Sequence, residues 1–132
     1  MSINLTNESK EFHYSVYTIV CQIPEGKVTS YGHIAYLINR PKNSRMVGSA
    51  LKHCGLIINS LRAEHPQGQI PFTYESLPWW RVISSAGKIS PRESNGEFDQ
   101  AQRLKEEGVA VLAGYKVDLE EFGWFPDVIE ST

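Results

Sequence analysis

Cysteine is nearly missing from this chain of 132 residues, with only Cys21 and Cys54, far apart in sequence. They form no metal-type pair, and the four histidines, at 13, 33, 53 and 65, lack ligand spacing. A metal-free, cofactor-free protein of a reduced, intracellular compartment is expected. Long apolar runs are also missing, since none approaches the roughly 20 residues that cross a bilayer. The opening Met1-Ser2-Ile3-Asn4-Leu5 is short and polar where a secretory signal would be apolar, so neither export nor membrane residence is expected. There is no internal repeat and no low-complexity segment.

The chain is one domain long, and its 41% hydrophobic and 21% charged content suits a globular protein. Its net charge of −2 hides a strong sorting of sign. Residues 26–92 carry nine Lys or Arg against Glu64 and Glu75, a balance of +7, whereas residues 93–132 carry three bases and ten acids, a balance of −7. A basic stretch of this size attracts a phosphate backbone, or else forms a solvated face. The acidic end would then sit away from the phosphates or face a protein partner.

Hydrophobic spacing predicts a loose N-terminus over 1–9, then a helix over 10–22 through Phe12, Val16, Ile19, Val20 and Ile23. Pro24-Glu25-Gly26-Lys27 is a turn, and Thr29 or Ser30 caps a second helix over Tyr31–Ile38. Arg40-Pro41-Lys42-Asn43 breaks the chain before a third helix from Arg45 to about Cys54, capped by Asn43 or Ser44 and stopped by Gly55. Two short helices around a tight turn, the second basic at its start, describe a helix-turn-helix. Residues 56–76 read as an inserted loop, although Leu56-Ile57-Ile58 and Leu61 keep it near the core. Leu77–Ile83 is expected to be extended, residues 97–107 helical with Phe98, Ala101 and Leu104 at helical spacing, and 109–112 with 115–117 paired as a small β-hairpin. The expected fold is mainly α, a winged helix-turn-helix with that hairpin as its wing.

Pro78-Trp79-Trp80-Arg81-Val82 is the most informative stretch. On the residues alone, the double tryptophan is either a buried strand filling the core or the wall of a binding pocket.

These five residues resemble the Pro-Cys-His-Arg-Val pentad of the O6-alkylguanine-DNA alkyltransferases. From Val28 to Gly108 the chain is similar to that family's DNA-binding domain, with Tyr31, Arg45 and the pentad in the family's order. Tryptophan in place of the nucleophilic cysteine places the chain with the alkyltransferase-like proteins, which bind alkylated DNA without repairing it. The closing Leu119-Glu120-Glu121-Phe122-Gly123-Trp124-Phe125-Pro126 resembles the tail of eukaryotic, especially fungal, members. The resemblance implies a DNA-binding domain over 10–127, a tail over 128–132, and no separate N-terminal domain. It also implies a monomer, located in the nucleus if the source is eukaryotic.

In the family the cysteine thiolate accepts the alkyl group while a water-linked histidine removes its proton. Trp79 and Trp80 stand at those two positions, and an indole offers a donor with no basic lone pair. Family members with tryptophan at the first position commonly keep histidine at the second, so Trp80 is a departure. By resemblance, Tyr31 presses on the phosphate beside the lesion and rotates the nucleotide outward. Arg45 enters through the minor groove and fills the space left by the flipped base, a task suited to a planar, permanently charged group. Gly48, Ser49 and Ala50 let the helix lie close to the groove, and Lys52 adds a basic contact. The lesion pocket would comprise Trp79, Trp80, Arg81, Val82, Arg92 and Ser94, while Glu107 matches the glutamate that orients the histidine in active enzymes.

The expected function is recognition of O6-alkylguanine in double-stranded DNA by base flipping, without alkyl transfer, as a flag for nucleotide excision repair proteins. Two alternatives stand beside it. One is an active alkyltransferase with a relocated nucleophile, for which Cys54, expected at a helix C-terminus, and Cys21 are poor candidates. The other is a plain winged-helix reader of undamaged DNA. The 56–76 stretch, longer than the family's link, would be a species-specific loop, a partner site or a lid.

Overall fold

Thr6 caps the first helix, α1 (Asn7–Val20), its hydroxyl accepting from the Ser9 backbone N–H at 3.1 Å. The computed structural model describes residues 6–64, 70, 72, 73, 75–91 and 96–128. Helix α1 therefore begins inside the stretch expected to be loose. Phe12, Val16, Tyr17, Ile19 and Val20 bury one side of it. After the turn at 24–27 comes a two-residue strand, β1 (Thr29–Ser30), which runs directly into α2 (Tyr31–Leu37). Ser30 caps α2 as the sequence predicts, its hydroxyl accepting from the His33 N–H at 3.1 Å. Asn39, with φ of 67°, ends that helix in the left-handed conformation that asparagine tolerates.

Helix α3 (Ser44–Lys52) packs on α2 and α1 through Val47, Ala50 and Leu51, completing the helix-turn-helix. Each well-buried branched aliphatic here contributes about 1.5–3 kcal/mol. The buried Tyr17 hydroxyl donates to the Ala50 carbonyl at 2.7 Å and ties α1 to α3. Burial first, and then the neighbouring Cys54, push the pKa of that phenol far above its ordinary value. Asn43 occupies the cap position of α3 without a side-chain cap bond.

Three expectations fail in the next segment. Gly55 does not stop the chain, because α4 (Cys54–Glu64) starts after a single non-helical residue, His53. The stretch 56–76 is accordingly not a loop throughout: its first part is helix, buried through Ile57, Ile58 and Leu61. Cys54 thus stands at the start of a helix and not at a C-terminus, and it is buried in the core.

The pentad is not extended either. Trp79–Arg81 form one turn of 3-10 helix before β2 (Val82–Ile83). The extended geometry is lost because Gln100 Nε2, reaching in from the next helix, donates to the carbonyls of both Trp80 and Val82, at 3.1 and 3.0 Å. Strands β1 and β2 pair in parallel, with Thr29 opposite Val82 and Ser30 opposite Ile83. Helix α5 (Gly96–Glu106) buries Gln100, Ala101 and Leu104 but leaves Phe98 at 64% exposure.

The expected hairpin wing is reduced to a single antiparallel bridge, Leu112 with Lys116. Residues 115–117 bond instead to 87–89: Ile89 N–H donates to Tyr115 O at 2.9 Å and Val117 N–H to Gly87 O at 2.8 Å. A short α6 (Leu119–Phe122) leads to a closing segment bonded to Val28, where Trp124 N–H donates to the Val28 carbonyl at 2.7 Å. The core has two parts. One lies between α1, α2, α3 and α4, and the other gathers Val28, Ile83, Ile89, Ala101, Leu104, Val109 and Val117 around α5.

Candidate nucleic-acid interface

Helix α3 divides its residues by phase. With Val47, Ala50 and Leu51 inward, Arg45, Ser49 and Lys52 fall at i, i+4 and i+7 on the exposed side. Tyr31, first residue of α2, is half-buried, and its ring lies over Gly48. A Cβ built on Gly48 would sit 3.8 Å from Tyr31 Cδ1. The ring, Gly48 and the row Arg45, Ser49 and Lys52 therefore lie on one outer face of the helix-turn-helix. Arg45 gains nothing from its place in the first helical turn, where the dipole opposes a cation.

The pentad adjoins this face through the β1–β2 register. Parallel pairing sets Arg81 one step before the Thr29–Val82 pair and Tyr31 one step after the Ser30–Ile83 pair. Trp79 and Trp80 meet edge to face, with centroids 5.9 Å apart and planes at 85°. Trp79 leans on the first core cluster and Trp80 on the second. Both remain part-exposed, each resting against a core cluster without being enclosed by it.

Beneath the indoles lies a charged knot. Glu107 accepts from Trp80 Nε1 at 3.0 Å, from Arg81 Nε at 2.9 Å, from Arg81 Nη2, and from the Gly26 N–H at 3.4 Å. Burial pushes the Glu107 carboxyl up, but the bonds from Arg81, Trp80 and Gly26, together with the Arg81 charge, outweigh it and hold it below the usual carboxylate range. Arg81 also donates through Nη1 to the Ile23 carbonyl at 2.9 Å. Its guanidinium is thus committed inward, and Val82 is fully buried. Of the five pentad residues, only the two tryptophans combine exposure with a ring that a base could meet. Arg92 and Ser94, the other expected pocket residues, lie outside the described residues.

Sequence reasoning missed Arg103 and Gln100. The Arg103 guanidinium lies 4.8 Å from the Trp80 ring centroid and 5.8 Å from that of Trp79, steadied by Asp99 at 3.2 Å. Gln100 holds the turn from behind through the two carbonyl bonds already described. Both could have been found by counting back from Glu107 in steps of four and three, which returns Arg103 and then Gln100 on one helical face.

The site offers stacking surfaces, a cation and hydrogen-bond donors, but no thiol. Cys54 is buried in the core, and burial pushes the Cys21 thiol up even though part of that residue is exposed. Among the described residues no group of three His, Cys, Asp or Glu could hold a metal ion, and no helix is long and apolar enough to cross a membrane.

Comparison with known proteins gives the same picture. Residues 11–109 match the model of the 6-O-methylguanine DNA methyltransferase DNA-binding domain. Alkyltransferase-like protein 1 of Schizosaccharomyces pombe is 42% identical over 121 residues, covering 88% of this chain and 96% of that protein. The DNA base-flipping protein of Escherichia coli is 35% identical over 113 residues, covering 86% of this chain and 74% of that protein. Among solved structures, S. pombe Atl1 in complex with damaged DNA containing O6-carboxymethylguanine matches with a TM-score of 0.70 at 39% identity, covering 94% of this chain and 100% of that one.

Proposed function

Because the chain belongs to the 6-O-methylguanine DNA methyltransferase DNA-binding family, and within it to the alkyltransferase-like proteins, we propose that it senses O6-alkylguanine in double-stranded DNA without repairing it. Arg45 enters the minor groove and replaces the base that Tyr31 helps to rotate outward, while Gly48, Ser49 and Lys52 carry the helix along the backbone. The extruded purine is received against Trp79 and Trp80, with Arg103 beside the indoles and Arg92 and Ser94 completing the wall. The site holds the base and releases it unchanged, and the bound complex flags the position for nucleotide excision repair proteins. The protein acts as a monomer, in the nucleus if its source is eukaryotic and otherwise in the cytoplasm.

One observation carries this reading. The two positions that would hold nucleophile and base are indoles, and the Trp80 N–H is already committed to Glu107. Nothing there can accept an alkyl group or a proton.

The test is incubation of the full chain with an O6-methylguanine duplex and with the same duplex undamaged, at one stated salt concentration. Expected are tighter binding to the damaged duplex and an unchanged protein mass. A methyl group on the protein would revive the relocated nucleophile and end the sensor reading. Equal, salt-sensitive affinity for both duplexes would leave a plain winged-helix binder.

A further inference from the structure

Val28, Thr29 and Ser30, the residues that lead into Tyr31, are held by two partners. Thr29 and Ser30 pair with β2, whereas Val28 bonds to the segment at the end of α6, donating to the Phe122 carbonyl at 2.9 Å and accepting from Trp124. From there residues 123–126 run on to α2 as a strap. A Cβ on Gly123 would collide with the Leu119 carbonyl and the Phe125 ring, so only glycine lets the strap fold this closely.

The strap is fastened at His33. Nε2 of that ring donates to the Pro126 carbonyl at 2.7 Å, and because a carbonyl oxygen only accepts, the proton sits on Nε2. The same ring meets Phe125 edge to face, with centroids 5.1 Å apart and planes at 86°, and lies 5.5 Å from the Tyr36 ring. The His33 backbone is also tied, since its N–H is the one that the Ser30 hydroxyl caps. Ser30 closes β1, and Tyr31 stands between the capping residue and the capped one. Ile34 and Ala35 bury the opposite side of α2 in the first core cluster. A helix of seven residues has little stability of its own and takes its orientation from what it packs on. Here it lies between the core and the strap.

We propose that His33 is a positioning residue for base extrusion: by fastening the strap to α2, it holds the Tyr31 ring in place over α3. This rests on the part proposed for Tyr31 above. Extrusion costs stacking and pairing energy, which a wedge recovers only if its own position is fixed in advance. Core packing of Ile34 and Ala35 resists inward movement of α2. The strap resists outward movement, and the bond from His33 to Pro126 is its polar tie to the helix.

The test is a double-mutant cycle on the full chain, read as preference for an O6-methylguanine duplex over the same duplex undamaged. A 2-aminopurine beside the lesion reports lost stacking by its fluorescence, and every variant is measured well below its urea midpoint. His33→Leu keeps bulk without a donor and should lower the preference about fivefold, the worth of one hydrogen bond, with affinity for plain duplex unchanged. The fluorescence rise on binding should shrink with it. His33→Gln places an amide N–H where Nε2 stands and should restore most of the preference. In a Tyr31→Ala background, His33→Leu should cost nothing further, because its effect passes through that ring. An unchanged preference in His33→Leu, an equal loss for both duplexes, a loss that adds in full to that of Tyr31→Ala, or no rescue by glutamine would overturn the proposal. No preference in the parent chain would instead remove the sensor reading, and the proposal with it.

Discussion

The Trp80 indole donates its Nε1 proton to Glu107 Oε2 at 3.0 Å, a bond that ties the 3-10 turn to the residue that follows α5. Trp80→Phe keeps a ring under Arg103 but removes this bond. Stability should fall by about 1 kcal/mol, the usual worth of one such bond, read as a lower urea midpoint at unchanged slope. Preference for the damaged duplex should persist. Its collapse would show that the ring alone does not suffice and that the indole bond to Glu107 is needed to hold the base.

Glu107 itself should set part of the acid sensitivity. Its carboxyl is held below the ordinary value, so between the two values the unfolded chain binds a proton that the folded chain does not. The stabilisation is complete above the ordinary glutamate value of about 4.3 and is lost as pH falls through the lowered folded value. Glu107→Gln leaves Arg81, whose side chain is only 14% exposed, without its counter-charge, and should cost about 3 kcal/mol at neutral pH. Thermal unfolding followed by circular dichroism should show the parent chain losing stability more steeply than the variant below about pH 4.3. Parallel curves would place the acid sensitivity in other carboxylates.

The helix-turn-helix was legible because its signals are local: the Ser30 cap, the break at Arg40-Pro41, and the phase of Val47, Ala50 and Leu51. The choice of Arg45, Gly48, Ser49 and Lys52 came from the family resemblance, and the phase of the helix places Arg45, Ser49 and Lys52 on its exposed side. Less legible was whatever depends on distant partners. Gly55 reads as a stop, yet burial of Ile57, Ile58 and Leu61 carries the helix past it. Val109–Leu112 reads as half a hairpin, yet residues 115–117 bond to 87–89. The tight turn of Trp79–Arg81 depends on Gln100, and the cation over the indoles on Arg103, about twenty residues away, which only the helical face shared with Glu107 brings into view.

Arg45 and Lys52 should separate lesion reading from backbone attraction. Arg45→Ala removes an exposed side chain, so stability should change by less than about 0.5 kcal/mol. Affinity for the O6-methylguanine duplex should nonetheless drop by about 1–3 kcal/mol, erasing the preference over plain DNA. Lys52→Ala should weaken both duplexes alike and lower the slope of log affinity against log salt by about 1. Titrations at several salt concentrations distinguish the two, and identical behaviour of the variants would deny Arg45 a special part.

Gly48 offers a contrast between folding and binding. A methyl there meets Tyr31 at 3.8 Å, ordinary contact, so Gly48→Ala should stabilise the helix by up to about 1 kcal/mol in urea unfolding. The same methyl stands on the face proposed to approach the groove, between Arg45 and Lys52 along the helix. Affinity for duplex DNA should therefore fall while stability rises. A variant both more stable and equally tight would show that α3 does not come close to DNA at this point.

Trp79→Cys asks whether the missing thiol is the sole obstacle to chemistry. A thiol there would stand near Arg103, whose charge favours the thiolate. A transferable alkyl group still requires the thiol proton to leave through an acceptor, and the neighbouring indole has none. Glu107 does not substitute, because its oxygens are occupied by Arg81, Trp80 and the Gly26 N–H and its proton affinity is lowered. The single variant should bind an O6-methylguanine duplex and gain no methyl mass over an extended incubation. The pair Trp79→Cys with Trp80→His returns an imidazole to the place from which Trp80 now reaches Glu107, and should yield the methylated protein. Rapid transfer by the single variant would mean that a base other than residue 80 serves the site, and the indole at that position would lose its part in keeping the site unreactive.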